Sequence, residues 1–228
     1  MQRPSIVLFD VDGTLVASDG AGRRAVLSAF RRLHGRCDAI GQLSLGGMTD
    51  RAIMRQGLDA IGEEASDALI DALITVYLEE LHEEMAVAGV CWALPGVEQV
   101  VDVCLASKDL ATGLGTGNVE LGARLKLEAA GLGGRFSFGG YGCDGEARDL
   151  LLLAGARRGA ARLGRKLEEC RVVIVGDTPR DVRAARAIGA ECIGVATGSF
   201  DRDSLLEAGA DKVFLELCAP GAIEAILG

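Results

Sequence analysis

Short runs of Val, Ile and Leu recur along this chain, separated by longer amphipathic stretches, and that alternation restricts the fold more than any other feature. The strand candidates are SIVLF (5–9), ATGLGT (111–116), RFSF (135–138), RVVIVG (171–176), CIGVAT (192–197) and KVFLEL (212–217). Between them lie helical patterns such as VEQVVDVCLA, entered through Pro95-Gly96, and VELGARLKLEAAGL, closed at Gly131, with ordinary helix start and stop residues. Strands apolar on both faces with helices between them predict an α/β fold, a doubly wound parallel sheet covered on both sides. From about Ser18 to Ala88 the alternation stops, leaving helix patterns and no convincing strand. There Leu69, Leu73, Tyr77 and Leu81 fall at four-residue spacing, while Glu79, Glu80, Glu83 and Glu84 read as a solvated face. The expected organisation is an α/β core of residues 1–17 plus 90–228, with a helical domain of residues 18–89 inserted into it.

Composition removes several classes of function. A formal net charge of −9 argues against nucleic acid, whose binding rests on neutralising phosphates. No run approaches the roughly 20 apolar residues of a membrane span, and the start of the chain does not read as a signal peptide, so a cytoplasmic location is expected. Seven cysteines, scattered and without a CxxC pair, read as reduced thiols, not as a disulfide frame or zinc site.

The ends of the strand candidates carry the chemistry. In a parallel sheet the loops at the carboxyl ends share one crevice. The first strand ends in Asp10-Val11-Asp12-Gly13-Thr14, the one at 111–116 in Thr116-Gly117-Asn118, and the one at 171–176 in Gly176-Asp177-Thr178-Pro179-Arg180-Asp181. Asp10, Asp12 and Asp177 are oxygen donors suited to Mg²⁺, whose charge makes crowded carboxylates tolerable and which commonly shares its site with phosphate. Taken singly, Asp177 and Asp181 also fit a helix cap near Thr178.

On DVDGTL, the helical insertion, PGVEQVV, TGN, GDTPRDVRAAR and GVATG, the chain resembles the haloacid dehalogenase superfamily, in particular its phosphatases with a helical cap, and is most similar to the phosphoglycolate-phosphatase-like members. The resemblance implies an aspartyl-phosphate route for a small phosphorylated metabolite. It makes Asp10 the nucleophile and Asp12 the acid and base, its pKa pushed up by the neighbouring carboxylate. Asp12 would also offer its backbone carbonyl to Mg²⁺. Thr116 becomes a donor to the phosphoryl group, with Gly117 and Asn118 beside it; Asp177 completes the metal site and Asp181 supports it.

One part of the family pattern is missing. The lysine that usually opens the helix after the third strand is absent from GGYGCDGEARDLLLLAGARRGA, and Arg148 is the expected replacement. Lys126, ten residues past Thr116 and about 15 Å along a helix, reads as too far away. In the insertion, GGMTDRAIM offers Thr49, Asp50 and Arg51 as substrate-binding candidates, with Arg23 and Arg24 nearer the first motif; His34 and His82 read as structural or exposed. Residues 16–90 contain no lysine, which argues against a Schiff-base phosphonate hydrolase, and a second acid argues against a dehalogenase. GLGTGN lacks the last glycine of a dinucleotide loop. A sugar phosphomutase and a non-catalytic module of the same fold remain as alternatives.

Overall fold

The computed structural model describes residues 3–228, in which six strands form one parallel sheet. The strands are β1 (Ser5–Phe9), then β2 (Val16–Ala17) and β3 (Trp92–Ala93), which pair with each other outside the main sheet. There follow β4 (Leu110–Gly115), β5 (Gly139–Gly140), β6 (Arg171–Gly176), β7 (Glu191–Val195) and β8 (Lys212–Phe214). The sheet order β5-β4-β1-β6-β7-β8 places β1 where the chain's direction of winding reverses, the position at which open α/β sheets form their crevice.

Alternation along β1 explains the two layers. Val7 and Phe9 point into one apolar cluster, Ile6 and Leu8 into the other, and all four are fully buried. The second cluster is closed by α7 (Arg148–Arg162), α8 (Pro179–Ala187) and α9 (Arg202–Ala208). The first is closed by α5 (Val97–Ala106), α6 (Glu120–Ala129) and α10 (Ala222–Leu227). The helices between β2 and β3 are α1 (Ala21–His34), α2 (Asp38–Gly41), α3 (Asp50–Ala60) and α4 (Asp67–Met85), and their apolar faces are continuous with that first cluster. α1 and α4 form a packed pair. On α4 the buried stripe is Ile70, Leu73, Tyr77 and Leu81, with Leu69 only partly covered. The acidic face expected to be fully solvated turns partly toward α1: Glu84 pairs with Arg24, and Glu80 with Arg32 and Ser28.

The expected strand over 135–138 is absent. Arg135 leaves the sheet to pair with Asp102, and Phe138 lays its ring against Gly113 of β4 and Gly159 of α7. Only Gly139 and Gly140 join the ladder, opposite Leu114 and Gly115. The strands expected at 192–197 and 212–217 end early, at Val195 and Phe214, because the chain turns there into surface loops.

Candidate active site

Strand register brings the site together. Phe9 lies opposite both Leu114 of β4 and Val175 of β6, so Asp10, Thr116 and Asp177 leave adjacent strands within two residues of the same level. The amide of Asp10 continues the ladder by donating to Val175 O (2.9 Å). The chain then turns tightly: Leu15 and Val16 donate back to Val11 O, and Gly13 adopts φ +77°. A side chain there would be strained and would collide with Asp177, as its Cβ would stand 2.4 Å from Oδ2. From the other side, a Cβ at Gly198 would stand 1.7 Å from the same oxygen, so two glycines leave the space that the Asp177 carboxylate fills.

Asp10, Asp177 and Asp181 are each buried and offer oxygens that all lie within 4.8 Å of one another. This is a hard-oxygen donor set of the kind that holds Mg²⁺. Burial pushes Asp10 up to about 6 even though Arg148 opposes it, and burial, reinforced by Asp10 and Asp181, raises Asp177 well above the usual carboxylate range.

Arg148, at the first position of α7, reaches this group. Its Nη2 stands 2.8 Å from Asp10 Oδ2 and 2.5 Å from Asp181 Oδ1, and its Nε donates to Asp181 Oδ1 (2.7 Å). The Nη2 contacts are ion pairs by proximity, with no N–H aligned for a hydrogen bond. Nη1 donates to Gly47 O (3.2 Å), in the loop before α3. Asp144, four residues ahead of Arg148 in the chain, pairs with Arg158. Asp181 has the most fully used carboxylate of the three acids. It accepts from the amide and hydroxyl of Thr178 (3.0 and 2.6 Å) as well as from Arg148, which combines the capping and supporting roles.

Asp12 turns the other way. Its two oxygens accept from Lys126 Nζ (2.9 and 2.7 Å) and Oδ2 accepts from Asn118 Nδ2 (2.8 Å). Burial would raise this carboxyl, but the Lys126 ammonium outweighs that and holds it below its ordinary value. The upward push expected from the neighbouring aspartate does not decide the outcome. Asn118 also donates to Thr116 Oγ1 (2.8 Å), which occupies one acceptor position of that hydroxyl.

The dismissal of Lys126 therefore needs correcting. The expected 15 Å was counted from Thr116, whereas α6 begins only at Glu120, and helical side chains lean back toward the N-terminus. A signal was present in the sequence: Gly122, Ala123, Lys126 and Leu127 form the buried stripe of α6, so a lysine occupies a core-facing position.

The helical segment closes over these groups in a cavity of about 250 Å³. Asp50 reaches in: its amide donates to Gly117 O and its Oδ2 accepts from the amide of Val119, both at 2.8 Å. Burial pushes its carboxyl up to about 6, with Lys126 opposing. Gly117 permits the close approach, because a Cβ there would stand 2.3 Å from Met48 O. Arg23 lines the cavity while donating to the carbonyls of Gly41 and Leu43. Two expected substrate contacts are not brought to it. Arg51 points along the helical segment to Asp67 and Asp71, and Thr49 caps α3 while its hydroxyl donates to Glu146 O. Arg24 is likewise committed, to Glu84, and His34 faces Glu63. No helix among the described residues is long and apolar enough to cross a membrane.

Comparison with known proteins identifies relatives of this chain. A family model described as haloacid dehalogenase-like hydrolase matches residues 4–189. The probable phosphatase IndB of Dickeya dadantii is 28% identical over 214 residues, covering 88% of this chain and 84% of that protein. Among solved structures, a predicted phosphoglycolate phosphatase from Haemophilus somnus superposes with a TM-score of 0.69 at 17% identity, over 100% of this chain and 99% of that one. CbbY from Rhodobacter sphaeroides, solved in complex with phosphate, gives 0.71 at 20% identity, over 98% and 100%. At those identities the structural matches speak for the fold alone.

Proposed function

The match over residues 4–189 makes this chain a member of the haloacid dehalogenase-like hydrolases, and on that footing we propose that it is a Mg²⁺-dependent phosphatase of small phosphomonoesters working through an aspartyl-phosphate on Asp10. The observation that carries the reading is the pairing of Asp10 with Arg148 at 2.8 Å beside Thr116 and Asp177, at the floor of one small cavity. The relative described as a probable phosphatase supports the same reading.

Each residue then has a task. Arg148 neutralises and orients the Asp10 carboxylate, and its charge meets the incoming phosphate; it stands in for the lysine usual in the family. Asp10 attacks phosphorus, the bond to the leaving oxygen breaks, and Asp12 gives that oxygen a proton. The negative phosphate opposes ionisation of Asp12 and so favours its protonated form at this stage. Thr116, whose hydroxyl oxygen accepts from both the amide and the side chain of Asn118, has its O–H free to donate to the phosphoryl group, with Gly117 and Asn118 flanking it. Asp12 next takes a proton from water as the water oxygen attacks phosphorus and Asp10 is released. Asp10, Asp177 and the main-chain carbonyl of Asp12 are the groups that would hold Mg²⁺, with Asp181 in support. When bound, the ion supplies positive charge to offset the carboxylates and the phosphate.

Residues 18–89 serve in this reading as a cap on a core of residues 1–17 and 90–228, joined through the paired strands β2 and β3. The closed contacts of Asp50 with Gly117 and Val119 shield the acyl phosphate from bulk solvent while leaving room for the one water that Asp12 activates. A cavity of this size suits a small ester, and phosphoglycolate is the leading substrate.

The test is phosphate release from a panel of small phosphomonoesters, phosphoglycolate included, with Mg²⁺, with chelator, and with Asp10→Asn. Release that needs metal and disappears in the variant is the expected result. A phosphomutase would leave the phosphate on its organic product, and a binding module would release none.

A further inference from the structure

Building on the phosphatase reading, we propose that Lys126 is a positioning residue for the water-activating half of the reaction: by clamping both oxygens of Asp12 it keeps that carboxylate where it can accept water's proton, so that the aspartyl-phosphate turns over.

The geometry leaves the ammonium little other purpose. A lysine has three N–H donors, and here three acceptors surround Nζ: both oxygens of Asp12 and Asn118 Oδ1 (2.7 Å). The residue is only 4% exposed, and a leucine or methionine would satisfy the apolar stripe of α6 without burying a charge. α1 passes beside the ammonium at Gly22, where a Cβ would stand in ordinary van der Waals contact, 3.5 Å from Nζ. Asp50 supplies a second negative neighbour and is itself tied to the Val119 amide.

The clamp has two effects. With Lys126 facing Asn118 Oδ1, the Asn118 amide can only present Nδ2 to Asp12 and Thr116, which fixes both partners. Without it, the Asp12 side chain, already 44% exposed to the cavity, keeps one hydrogen bond and is free to swing. In the second half-reaction the water oxygen bonds to phosphorus, one water proton goes to an Asp12 oxygen, and the P–O bond to Asp10 breaks to return its carboxylate. That step needs an acceptor in place before water attacks. The first half-reaction needs Asp12 only when the leaving oxygen is basic.

4-Nitrophenyl phosphate separates the halves, because 4-nitrophenolate departs without a proton. With Mg²⁺ present, Lys126→Met should lower kcat on the order of 10²-fold, the usual share of proton transfer. KM should fall in parallel, leaving kcat/KM within about threefold. A burst of nitrophenol approaching one per active site should precede the slow phase, with phosphorylated protein visible by intact mass. Parallel loss of kcat and kcat/KM without a burst would mean a structural role and overturn the proposal, as would unchanged kinetics. A wild-type protein that releases no phosphate from any ester would instead overturn the phosphatase reading itself. Should circular dichroism show the methionine variant unfolded, Lys126→Gln, which keeps a donor without the charge, is read by the same burst and the same parallel-loss criterion.

Discussion

Asp10 and Asp12 stand two residues apart in the chain, yet the structure places them in opposite electrostatic surroundings. Asp10 turns into the sheet crevice, among Asp177, Asp181 and Arg148, and is pushed up to about 6, chiefly by burial. Asp12 turns toward α6, where Lys126 and Asn118 hold it below its ordinary value in spite of burial. Each aspartate has its own cation, delivered by a different helix, Arg148 from α7 and Lys126 from α6. Two like groups can coexist because the Asp10–Gly13 turn points them apart. They can do different work because their partners differ.

The sharpest way to break that comparison is to remove the cation on the Asp10 side. Arg148→Met should cut kcat/KM by roughly 10³-fold, the scale for losing a preorganised charge at a reacting group. It should also lower the stability of the metal-free protein by about 3–5 kcal/mol, since two buried carboxylates lose their partner; urea unfolding measures that, and near-normal activity would refute the assignment.

Asp10→Asn should abolish phosphate release and yet stabilise the metal-free protein. Raising a carboxyl from 3.8 to about 6 means that the fold disfavours its charge. At about 1.4 kcal/mol per pH unit, a neutral isostere recovers up to about 3 kcal/mol. A Tm rise of about 5–10 °C in a chain of this size is expected, and a lower Tm would contradict it.

The same shift fixes a pH dependence. Asp10 and Asp50 both have folded values near 6 against 3.8, so between those values the folded protein binds more protons than the unfolded one. Stability of the metal-free protein should therefore fall as pH rises from about 4 to 6 and level off by about 7. Asp12 contributes with the opposite sign, and only below about pH 4, because its folded value is depressed. Thermal scans in chelator across about pH 4–8 give the slope, and Asp50→Asn should flatten part of it.

The smallest effect concerns closure. Arg55 of α3 forms a bidentate contact with Glu146, just ahead of α7, at 2.6–3.0 Å on its closest atoms, and both side chains are partly exposed. Arg55→Ala should raise KM no more than about fivefold, in keeping with the small worth of a solvent-exposed pair; an effect as large as that of Arg148→Met would make this contact part of the chemistry.

Much of this was legible in the chain. Short apolar runs buried on both faces give a parallel sheet wherever helices separate them, and residues that end such strands must meet at one rim. Asp10, Thr116 and Asp177 follow from that local logic, as does Asp181 at the start of α8, whereas Arg148 came only from the resemblance to the family, as the replacement for its missing lysine. The edge strand at Gly139–Gly140 was not legible, because two glycines carry no propensity and their pairing depends on where Phe138 packs. Thr49, Arg51 and Lys126 were misjudged for a related reason. Spacing along one helix says which residues share a face, but not what that face meets. Sequence by itself determined the sheet, the rim and the acids upon it, because backbone periodicity and strand ends are local properties. Only the tertiary structure decided which cation serves which acid: α6, α7 and the helical segment converge there from distant parts of the chain, and their side-chain reach depends on how they pack.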